Sequence, residues 1–353
     1  MTSTKIIKID YQNIKENYIK QAAQVLASGG LVIIPTETVY GIAANMLNKK
    51  AVDKLYEIKQ RPKNKPFSLH VDKKEKIEDF VIPVTPATYR IIDRFWPGPL
   101  TLVLKAKDKT SIGIRMPNDE IALAIIAAAG VPVICPSANI SGKPAPVNFQ
   151  DAIKDLDGLV DLAVDAGRTK LGVESSVVDL TVEPLRILRE GLLKKGEIER
   201  VAWKKTVLFV CTGNSCRSVM AKALLEKKLK EKNRLDIEVL SRGIMMSGGL
   251  SATSATREVL KKEGIDVSAH RSEGITASII KRSDIILVME KIHEEKVLEL
   301  VPQAKNRVFL LKEFAKIDDK TMDIPDPIGR SEEFYQMTFD VIKEAVERIM
   351  QII

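Results

Sequence analysis

The stretch VLFVCTGNSCRSVM, residues 207–220, decides the fold of the C-terminal half of this chain. Its first four residues, 207–210, form a continuous apolar run of the kind that makes a fully buried parallel strand. A polar loop follows, and a helix with one apolar face is predicted from about residue 218 to 230. Such a strand, loop and helix point successive backbone N–H groups and a helix N-terminus at one place, which makes an anion site.

Two residues of the loop indicate phosphate chemistry. Cys211 and Arg217 are separated by five residues, enough chain to curl once around a phosphate so that the thiol and the guanidinium face it from opposite sides. The anion site and the guanidinium favour a thiolate, so the sequence predicts a nucleophilic Cys211 near neutral pH. Arg217 can bind two phosphoryl oxygens as charge spreads in the transition state.

The loop resembles the active-site loop of low-molecular-weight protein phosphatases, and the resemblance runs from about Lys205 to the C-terminus. It implies that Cys211 and Arg217 are catalytic and that Ser218 hydrogen-bonds the Cys211 sulfur. It also implies that Asn214 shapes the loop. The residues of the phosphate loop beside the catalytic pair are then Thr212, Gly213, Asn214, Ser215, Cys216 and Ser218.

The leaving group also needs a proton donor. The segment TMDIPDPIGR, residues 321–330, supplies Asp323 and Asp326, and Pro327 restricts the backbone at Asp326. Asp326 corresponds to the general acid of the family, with Asp323 as the alternative. The resemblance then implies that Cys211 attacks phosphorus, that Asp326 protonates the leaving atom, and that Asp326 activates the water that hydrolyses phosphocysteine.

The residues around the loop leave two phosphoprotein substrates open. Tyrosine-specific relatives usually have a bulky aliphatic residue at the position of Ser215 and aromatic residues after the Asp-Pro pair, where this chain has Ile328 and Gly329. A small hydroxyl at Ser215 resembles the arginine-phosphatase branch, where Thr is usual. On family frequency we expect phosphotyrosine first and phosphoarginine second.

Cysteine usage bears on a third class with this fold. Thiol-dependent arsenate reductases relay electrons through further cysteines downstream of the loop, and the sequence has none after Cys216. The lack of these cysteines largely excludes the arsenate reductase class. A separate hypothesis is that Cys216 traps an oxidised Cys211 as a reversible disulfide.

The composition indicates an ordinary soluble globular protein that is long enough for two domains. The 353 residues are 45% hydrophobic and 29% charged, with a formal net charge of +8. The N-terminal MTSTKIIKID has no apolar signal segment, and three cysteines do not make a disulfide framework, so we expect a cytoplasmic protein with reduced thiols and no membrane association. The mild basic excess suits anionic small ligands and RNA equally.

The N-terminal half repeats one design, a short apolar strand that runs into a small polar or basic loop. Residues 31–35, LVIIP, lead into TETVYG, and residues 131–135, VPVIC, lead into PSANISGKP. KQRPKNKP, residues 59–66, places four cations in seven residues between two prolines that forbid helix continuation, which predicts a rigid phosphate-binding segment. Arg115, in the strand-like SIGIRMP, needs a partner or an anionic ligand, because burying an unpaired guanidinium is costly.

These motifs together are typical of one family. PTETVYG, KQRPKNKPF, FWPGPLT, GIRMP, PSANISGKP, GVESSVVD and ILREG, in this order and at these spacings, resemble the YrdC family of L-threonylcarbamoyladenylate synthases over about residues 5–200. The resemblance implies an enzyme that joins L-threonine, bicarbonate or carbon dioxide, and ATP with its Mg²⁺, and that releases pyrophosphate. The product, threonylcarbamoyl-AMP, is the donor for the t6A modification of tRNA, so tRNA or t6A-transfer proteins are expected partners.

By the pattern of that family, two sets of residues hold substrates. Arg115 is expected opposite the threonine carboxylate, and Cys135 is expected to contribute mainly backbone. Without the resemblance, His70 is interpreted as a core histidine in preference to a ligand contact. The sequence departs from a common form of the pattern at Lys65, often Asn, and at Ala145, usually Ser. The threonine-binding set is Thr38, His70, Arg115, Cys135 and Ser175, and the ATP-binding set is Lys59, Arg61, Lys65, Ser111, Ser137, Asn139, Ala145 and Arg189.

The whole chain is interpreted as a fusion of two α/β enzymes. A YrdC-like twisted α/β domain is expected at residues 1–203, and a small doubly wound parallel sheet with a phosphate-binding loop at 204–353, joined by a short linker at 196–205. Further strands are predicted at 237–243, 283–290 and 307–314, and no resident metal site is predicted. Two alternatives stay open: an N-terminal half that is only an RNA-binding module carrying the phosphatase to its target, and an inactive phosphatase used as a scaffold.

Overall fold

The computed structural model describes residues 3–245 and 248–353, and the chain divides into two compact units. The first unit comprises Met1–Val84 and Ile91–Val201, and the second comprises Thr85–Arg90 and Ala202–Ile353. The division near residue 202 lies close to the predicted boundary between residues 203 and 204.

The first unit is built on a mixed sheet of ten strands. Antiparallel neighbours such as β2 with β3 lie beside parallel neighbours such as β4 with β6. The spatial order is β1-β8-β2-β3-β7-β4-β6-β5-β9-β10. The strands are β1 Lys5–Lys8, β2 Val32–Ile34, β3 Gly41–Asn45, β4 Leu69–His70, β5 Leu100–Lys105, β6 Ser111–Arg115, β7 Val133–Ile134, β8 Leu162–Asp165, β9 Ser176–Asp179 and β10 Arg186–Arg189.

Helices cover two faces of this sheet and give the unit two apolar cores. Val32 and Ile34 of β2 pack into a core with α1 and α4, whereas Ile33 packs into a second core with α2 and α5. This alternation follows from the two-residue period of a strand. The helices of this part of the chain are α1 Glu16–Ala27, α2 Lys49–Lys59, α3 Pro86–Phe95, α4 Glu120–Ala129, α5 Phe149–Lys154 and α6 Lys195–Trp203, with a 3₁₀ turn at Lys74–Asp79.

The second unit is a four-stranded parallel sheet in the order β12-β11-β13-β14. Along β11, Val207, Phe209 and Cys211 pack into one core, and Leu208 and Val210 pack into the core on the opposite face. The continuous apolar run therefore does form a buried central strand, and the α/β fold class predicted for both halves is confirmed. The strands are β11 Lys205–Cys211, β12 Ile237–Gly243, β13 Ile285–Val288 and β14 Val308–Leu310.

The helices of the second unit begin with α7, which follows the quoted loop directly. Together with α8, α11 and α12 it encloses the core that contains Cys211, and α12 buries Tyr335 and Phe339 there. The helices are α7 Arg217–Glu231, α8 Ser254–Lys262, α9 Ala277–Arg282, α10 Lys291–Leu300, α11 Leu311–Phe314 and α12 Glu332–Ile349, with a 3₁₀ turn at Pro302–Arg307.

One sequence expectation about local structure was wrong. The expected strand at 307–314 ends at Leu310, and α11 begins at the next residue, with Leu311 fully buried. There the packing of an apolar side chain overrides the local pattern. The expected linker at 196–205 includes most of the helix α6, whose Ile198 is fully buried. Among the described helices, none combines the length and apolar character that a membrane crossing requires.

Candidate active sites

The loop between β11 and α7 is held in a curled conformation by two residues. Asn214 has a φ of 52°, a left-handed conformation that Asn tolerates better than most residues. Gly243, at the end of β12, has no side chain, and a Cβ there would lie 2.7 Å from the carbonyl oxygen of Thr212. Only glycine therefore leaves room for the loop at this strand end.

Asn214 and Ser218 direct a hydroxyl hydrogen at the Cys211 sulfur. Asn214 Nδ2 donates to Ser218 Oγ at 3.0 Å, and Ser218 Oγ lies 3.0 Å from Cys211 Sγ. Because the Ser218 oxygen accepts from Asn214, its own hydrogen is free to be donated to the sulfur. The Asn214 side-chain oxygen in turn accepts the Glu273 N–H at 2.9 Å. The geometry matches the contact expected between Ser218 and Cys211.

The ionisation of Cys211 is set by opposing effects. Burial raises the pKa of the Cys211 thiol, and the hydrogen bonds from Ser218 together with the Arg217 charge act in the lowering direction. In the structure burial is the larger effect. The expected thiolate near neutral pH stays a prediction.

Arg217 is almost fully buried and is held by four contacts. Nη1 donates to Glu290 Oε2 at 2.5 Å and to the Ile324 carbonyl at 2.6 Å. Nη2 donates to Asp326 Oδ2 at 2.5 Å and to Thr212 Oγ1 at 3.1 Å. Nε is buried without a hydrogen-bond partner among the described residues, so it is a donor available to a bound anion.

The two candidate acids, Asp326 and Asp323, differ in their hydrogen-bond partners. Asp326 pairs with Arg217 at the loop, whereas Asp323 Oδ1 accepts the backbone N–H of Lys291 at 3.0 Å, at the start of α10. The structure therefore brings Asp326 to Arg217 and engages Asp323 in a helix cap.

Sequence reasoning missed Glu290 and His293, although Glu290 lies just past the carboxyl end of the buried β13, where parallel sheets place their sites.

A cavity of about 470 Å³ in the first unit gathers the predicted arginines. Arg61, Arg115 and Arg189 all line it, although they come from a loop, from β6 and from β10. Ser111 and Ser137 of the ATP-binding set also line it. A single pocket with three guanidinium groups is suited to a ligand that carries several negative charges.

The threonine-binding set lies in or against this cavity. His70, Arg115, Cys135 and Ser175 line it. Thr38 does not, but its Oγ1 accepts from Arg115 Nη2 at 2.9 Å. Burial, with Arg115 as the second cause, lowers the pKa of His70 to about 3, so the ring is neutral. His70 is thus both a buried residue and a wall of the cavity.

Arg115 already has a carboxylate partner in the chain. Its Nη2 donates to Glu37 Oε1 at 2.8 Å, and both side chains are almost fully buried. The other oxygen of Glu37 has no hydrogen-bond partner among the described residues. Sequence reasoning missed Glu37, because nothing in PTETVYG distinguishes a buried carboxylate from a turn residue.

The cations of the basic segment at 59–66 have different protein partners, and the phosphate-binding role expected of the segment stays a prediction. Lys59 donates to the carbonyl oxygens of Ser137 and Asn139 at 2.5 and 2.7 Å, and Lys63 pairs with Asp53 at 2.6 Å. Arg61 bonds the Lys65 carbonyl at 2.8 Å and faces the cavity. Four predicted ATP-binding residues are absent from the cavity wall: Lys59, Lys65, Asn139 and Ala145.

Arg189 is fixed beside the threonine-binding set. Its Nη1 pairs with Glu174 at 2.5 Å, and its Nη2 donates to Ser175 Oγ at 3.1 Å. Ser175 Oγ also lies 3.0 Å from Thr101 Oγ1. Glu174 and Thr101 line the cavity as well and were not predicted from the sequence.

Two family models match the chain, one in each half. Residues 24–191 match the Sua5, YciO and YrdC family, described as "Telomere recombination". Residues 206–353 match the family described as "Low molecular weight phosphotyrosine protein phosphatase".

Curated relatives divide in the same way. The chain is 40% identical over 199 residues to a threonylcarbamoyl-AMP synthase of Pyrococcus abyssi, a match that covers 54% of this chain and only 58% of that protein. It is 38% identical over 205 residues to a putative threonylcarbamoyl-AMP synthase of Methanocaldococcus jannaschii, covering 56% of this chain and 97% of that protein. It is 37% identical over 145 residues to a protein-arginine-phosphatase of Geobacillus stearothermophilus, covering 41% and 93% respectively.

Among solved structures, the chain resembles the crystal structure of P. abyssi Sua5 complexed with L-threonine. The TM-score is 0.54 and the sequence identity is 28%, and the match covers 87% of this chain and 99% of that chain.

Proposed function

The chain belongs to two families, joining a member of the Sua5/YrdC family to a member of the low molecular weight phosphotyrosine protein phosphatase family, and on that premise we propose that it is a bifunctional enzyme. The N-terminal unit makes L-threonylcarbamoyl-AMP from L-threonine, bicarbonate and ATP, for t6A modification of tRNA. The C-terminal unit hydrolyses a phosphorylated protein through a phosphocysteine. A cytoplasmic location stays a prediction.

The observation that supports the synthase proposal is the convergence of three arginines on one cavity. In this reaction the threonine amine is carboxylated to a carbamate, and the carbamate then attacks the α-phosphorus of ATP as pyrophosphate leaves. The site therefore needs to position the substrates and neutralise their charge more than it needs a protein nucleophile. Arg61, Arg115 and Arg189 supply positive charge to the cavity, and solvent screens the charge of Arg115 least because that side chain is almost fully buried. Because a similar protein was solved in complex with L-threonine, we propose that this cavity also binds threonine.

We assign the arginines of the cavity to two adjacent substrates, with the contact between Arg189 Nη2 and Ser175 Oγ joining the two sets of residues. The threonine carboxylate faces Arg115, whose Nη1 makes no described hydrogen bond and is a free donor, beside His70 and Ser175. The ATP phosphates face Arg61 and Arg189, with Ser111 and Ser137 nearby. Lys59 and Asn139 act by shaping the loop at 137–139, and direct contacts from Thr38, Cys135, Lys65 and Ala145 stay predictions.

Mg²⁺ is proposed to arrive with the ATP phosphates. No cluster of three or more His, Cys, Asp or Glu side chains suited to a metal ion occurs within residues 3–245 and 248–353. Among the described residues that line the cavity, the only carboxylate is Glu174, which is paired with Arg189. One carboxylate together with phosphate oxygens fits the way proteins hold Mg²⁺.

The synthase proposal is tested by pyrophosphate release from the full chain. We expect release that requires both L-threonine and bicarbonate, and that Arg115→Ala abolishes. RNA binding without any threonine-dependent pyrophosphate release would decide for the alternative, in which this half is only an RNA-binding module.

The phosphatase proposal is supported by the assembly of Cys211, Arg217 and Asp326 at one loop. Cys211 Sγ attacks phosphorus as the bond to the leaving atom breaks, and Asp326 gives that atom its proton. Asp326 then takes a proton from the water that attacks phosphocysteine, and phosphate leaves with the thiolate restored. Arg217 supplies Nε to a phosphoryl oxygen, because that donor is buried without a protein partner. An inactive scaffold needs none of this arrangement.

Phosphoarginine is the substrate that we now place first, which reverses the order expected from family frequency. The protein-arginine-phosphatase relative is matched over 93% of its length. Ile328 offers no ring to stack on a tyrosine, and Ser215 leaves space where tyrosine-specific relatives have a bulky aliphatic side chain. Phosphotyrosine remains the second candidate, because the matched family model carries that description.

The substrate is decided by parallel assays on the full chain with an arginine-phosphorylated protein and with a tyrosine-phosphorylated peptide. We expect a higher kcat/KM on the first, and Cys211→Ser to abolish turnover of both. Ser215→Ile should shift the ratio of the two kcat/KM values towards phosphotyrosine by about tenfold or more, because the isoleucine side chain fills the space that Ser215 leaves. A ratio that favours phosphotyrosine in the unmodified chain would restore the original order.

A further inference from the structure

We infer that His293 is a positioning residue of the phosphatase site, which holds the Thr212 hydroxyl and through it fixes the Arg217 guanidinium. The inference rests on the proposed phosphatase activity and adds a residue that lies outside both the phosphate loop and the Asp-Pro segment.

The hydrogen bonds of His293 determine which ring nitrogen carries the hydrogen. The side chain lies in the first turn of α10 and is fully buried. Its Nδ1 accepts the backbone N–H of Glu290 at 3.0 Å, and its Nε2 lies 3.0 Å from Thr212 Oγ1. Burial, with the Arg217 charge as the second cause, lowers the pKa of His293 to about 4. The ring is therefore neutral near pH 7, and Nε2 is the donor to Thr212.

Thr212 passes this constraint to Arg217. Its hydroxyl oxygen accepts from His293 Nε2 and also from Arg217 Nη2 at 3.1 Å, so both of its lone pairs are used. Arg217 Nη1 bonds Glu290, and the N–H of Glu290 bonds His293. His293, Thr212, Arg217 and Glu290 thus form a closed ring of hydrogen bonds.

The ring fixes the plane of a long side chain that must meet the phosphoryl group in one orientation. With Nη1 and Nη2 held, Nε is the guanidinium donor without a protein partner among the described residues. A free arginine side chain would lose rotamer entropy on binding phosphate, and a preorganised one does not. We therefore expect His293 to act on the chemical step and on phosphate affinity without touching the substrate.

Two substitutions at His293 separate this role from a merely structural one. His293→Asn keeps an oxygen near the Nδ1 position for the Glu290 N–H, but it is too short to reach Thr212. His293→Gln carries an N–H donor at about the reach of Nε2. For His293→Asn we expect a loss of about tenfold in phosphatase kcat, the size of one hydrogen bond between neutral groups, and for His293→Gln a recovery to within about twofold of the unmodified chain.

The decisive experiment is a double-mutant cycle in the full chain with Thr212→Val. If His293 acts through the Thr212 hydroxyl, His293→Asn costs less than about threefold once that hydroxyl is absent. An equal loss in both backgrounds, or equal losses for His293→Asn and His293→Gln, overturns the inference. Urea unfolding of each variant shows whether a loss of activity is only a loss of fold.

A binding readout keeps this test distinct from the test of the proposed function. Calorimetry with inorganic phosphate should show binding that is weakened about tenfold by His293→Asn and largely restored by His293→Gln. If the unmodified chain binds phosphate in this pattern but hydrolyses no phosphoprotein, the proposed function fails and the positioning role stands. If it hydrolyses phosphoprotein and His293→Asn alters neither kcat nor phosphate binding, the positioning role fails alone.

Discussion

Replacing Gly41 by alanine tests how closely the chain packs around the synthase cavity. A Cβ on Gly41 would lie 2.4 Å from Cys135 Sγ and 3.2 Å from the carbonyl oxygen of Pro136. All three residues line the cavity, and Gly41 and Cys135 are buried. Because ordinary contacts begin near 3.4 Å, the Cys135 sulfur or the β3 backbone must move by about 1 Å to admit the methyl group.

The magnitude follows from overpacking of a buried site. Gly41→Ala should destabilise the first unit by about 1–3 kcal/mol, which lowers its melting temperature by about 2–4 °C for each kcal/mol in a unit of this size. Cys135→Ala removes the sulfur, so in that background Gly41→Ala should cost at least about 1 kcal/mol less. A residual cost is expected, since the Pro136 oxygen does not change.

The assay exploits the two tryptophans of the chain. Trp96 is buried in the first unit and Trp203 is exposed, so a Trp203→Phe background leaves Trp96 fluorescence as the reporter of the first unit during urea unfolding. Pyrophosphate release is measured on the same four variants. Equal destabilisation by Gly41→Ala with and without the Cys135 sulfur would refute the steric reasoning. Normal turnover by Cys135→Ala alone would support the expectation that this residue contributes mainly backbone.

Three further predictions concern charged groups. Asp326→Asn should lower the phosphatase kcat by about 10²- to 10⁴-fold, as expected for loss of a general acid, and Asp323→Asn by less than about tenfold; the reverse order in steady-state kinetics would contradict the assignment. Arg115→Lys should raise the KM for L-threonine about tenfold while the KM for ATP changes less, because lysine lacks the planar fork, and equal changes in both constants would count against it. As pH falls from about 6.5 to 4, the ionisation of His293 should lower the free energy of unfolding of the second unit by about 3 kcal/mol, because the unfolded ring binds a proton near pH 6.5 and the folded ring only near 4. Urea titrations should then show that His293→Gln loses less stability between these two pH values than the unmodified chain. Identical losses would contradict the lowered pKa of His293.

Most of the architecture could be predicted from the sequence because it depends on short-range patterns. The apolar run at 207–210 and the turn after it predicted a buried strand and a helix, and β11 and α7 lie there. The family resemblance that the motifs carry likewise implied that Arg61, Arg115 and Arg189 hold the substrates, and all three line one cavity. The error at residues 307–314 arose because an apolar run there is compatible with either a strand or a helix, and the chain changes from β14 to α11 within it.

The sequence by itself determined the fold class, the phosphate loop and the identity of the charged groups, since strand periodicity, turn chemistry and motif spacing are local properties. Only the tertiary structure decided how those groups are paired. Arg217 meets Glu290 across 73 positions, Arg115 meets Glu37 across 78, and Thr212 meets His293 across 81. Such contacts depend on which strands become neighbours and on which side chains burial forces to satisfy one another, and a buried charge or donor takes whichever partner the packing supplies.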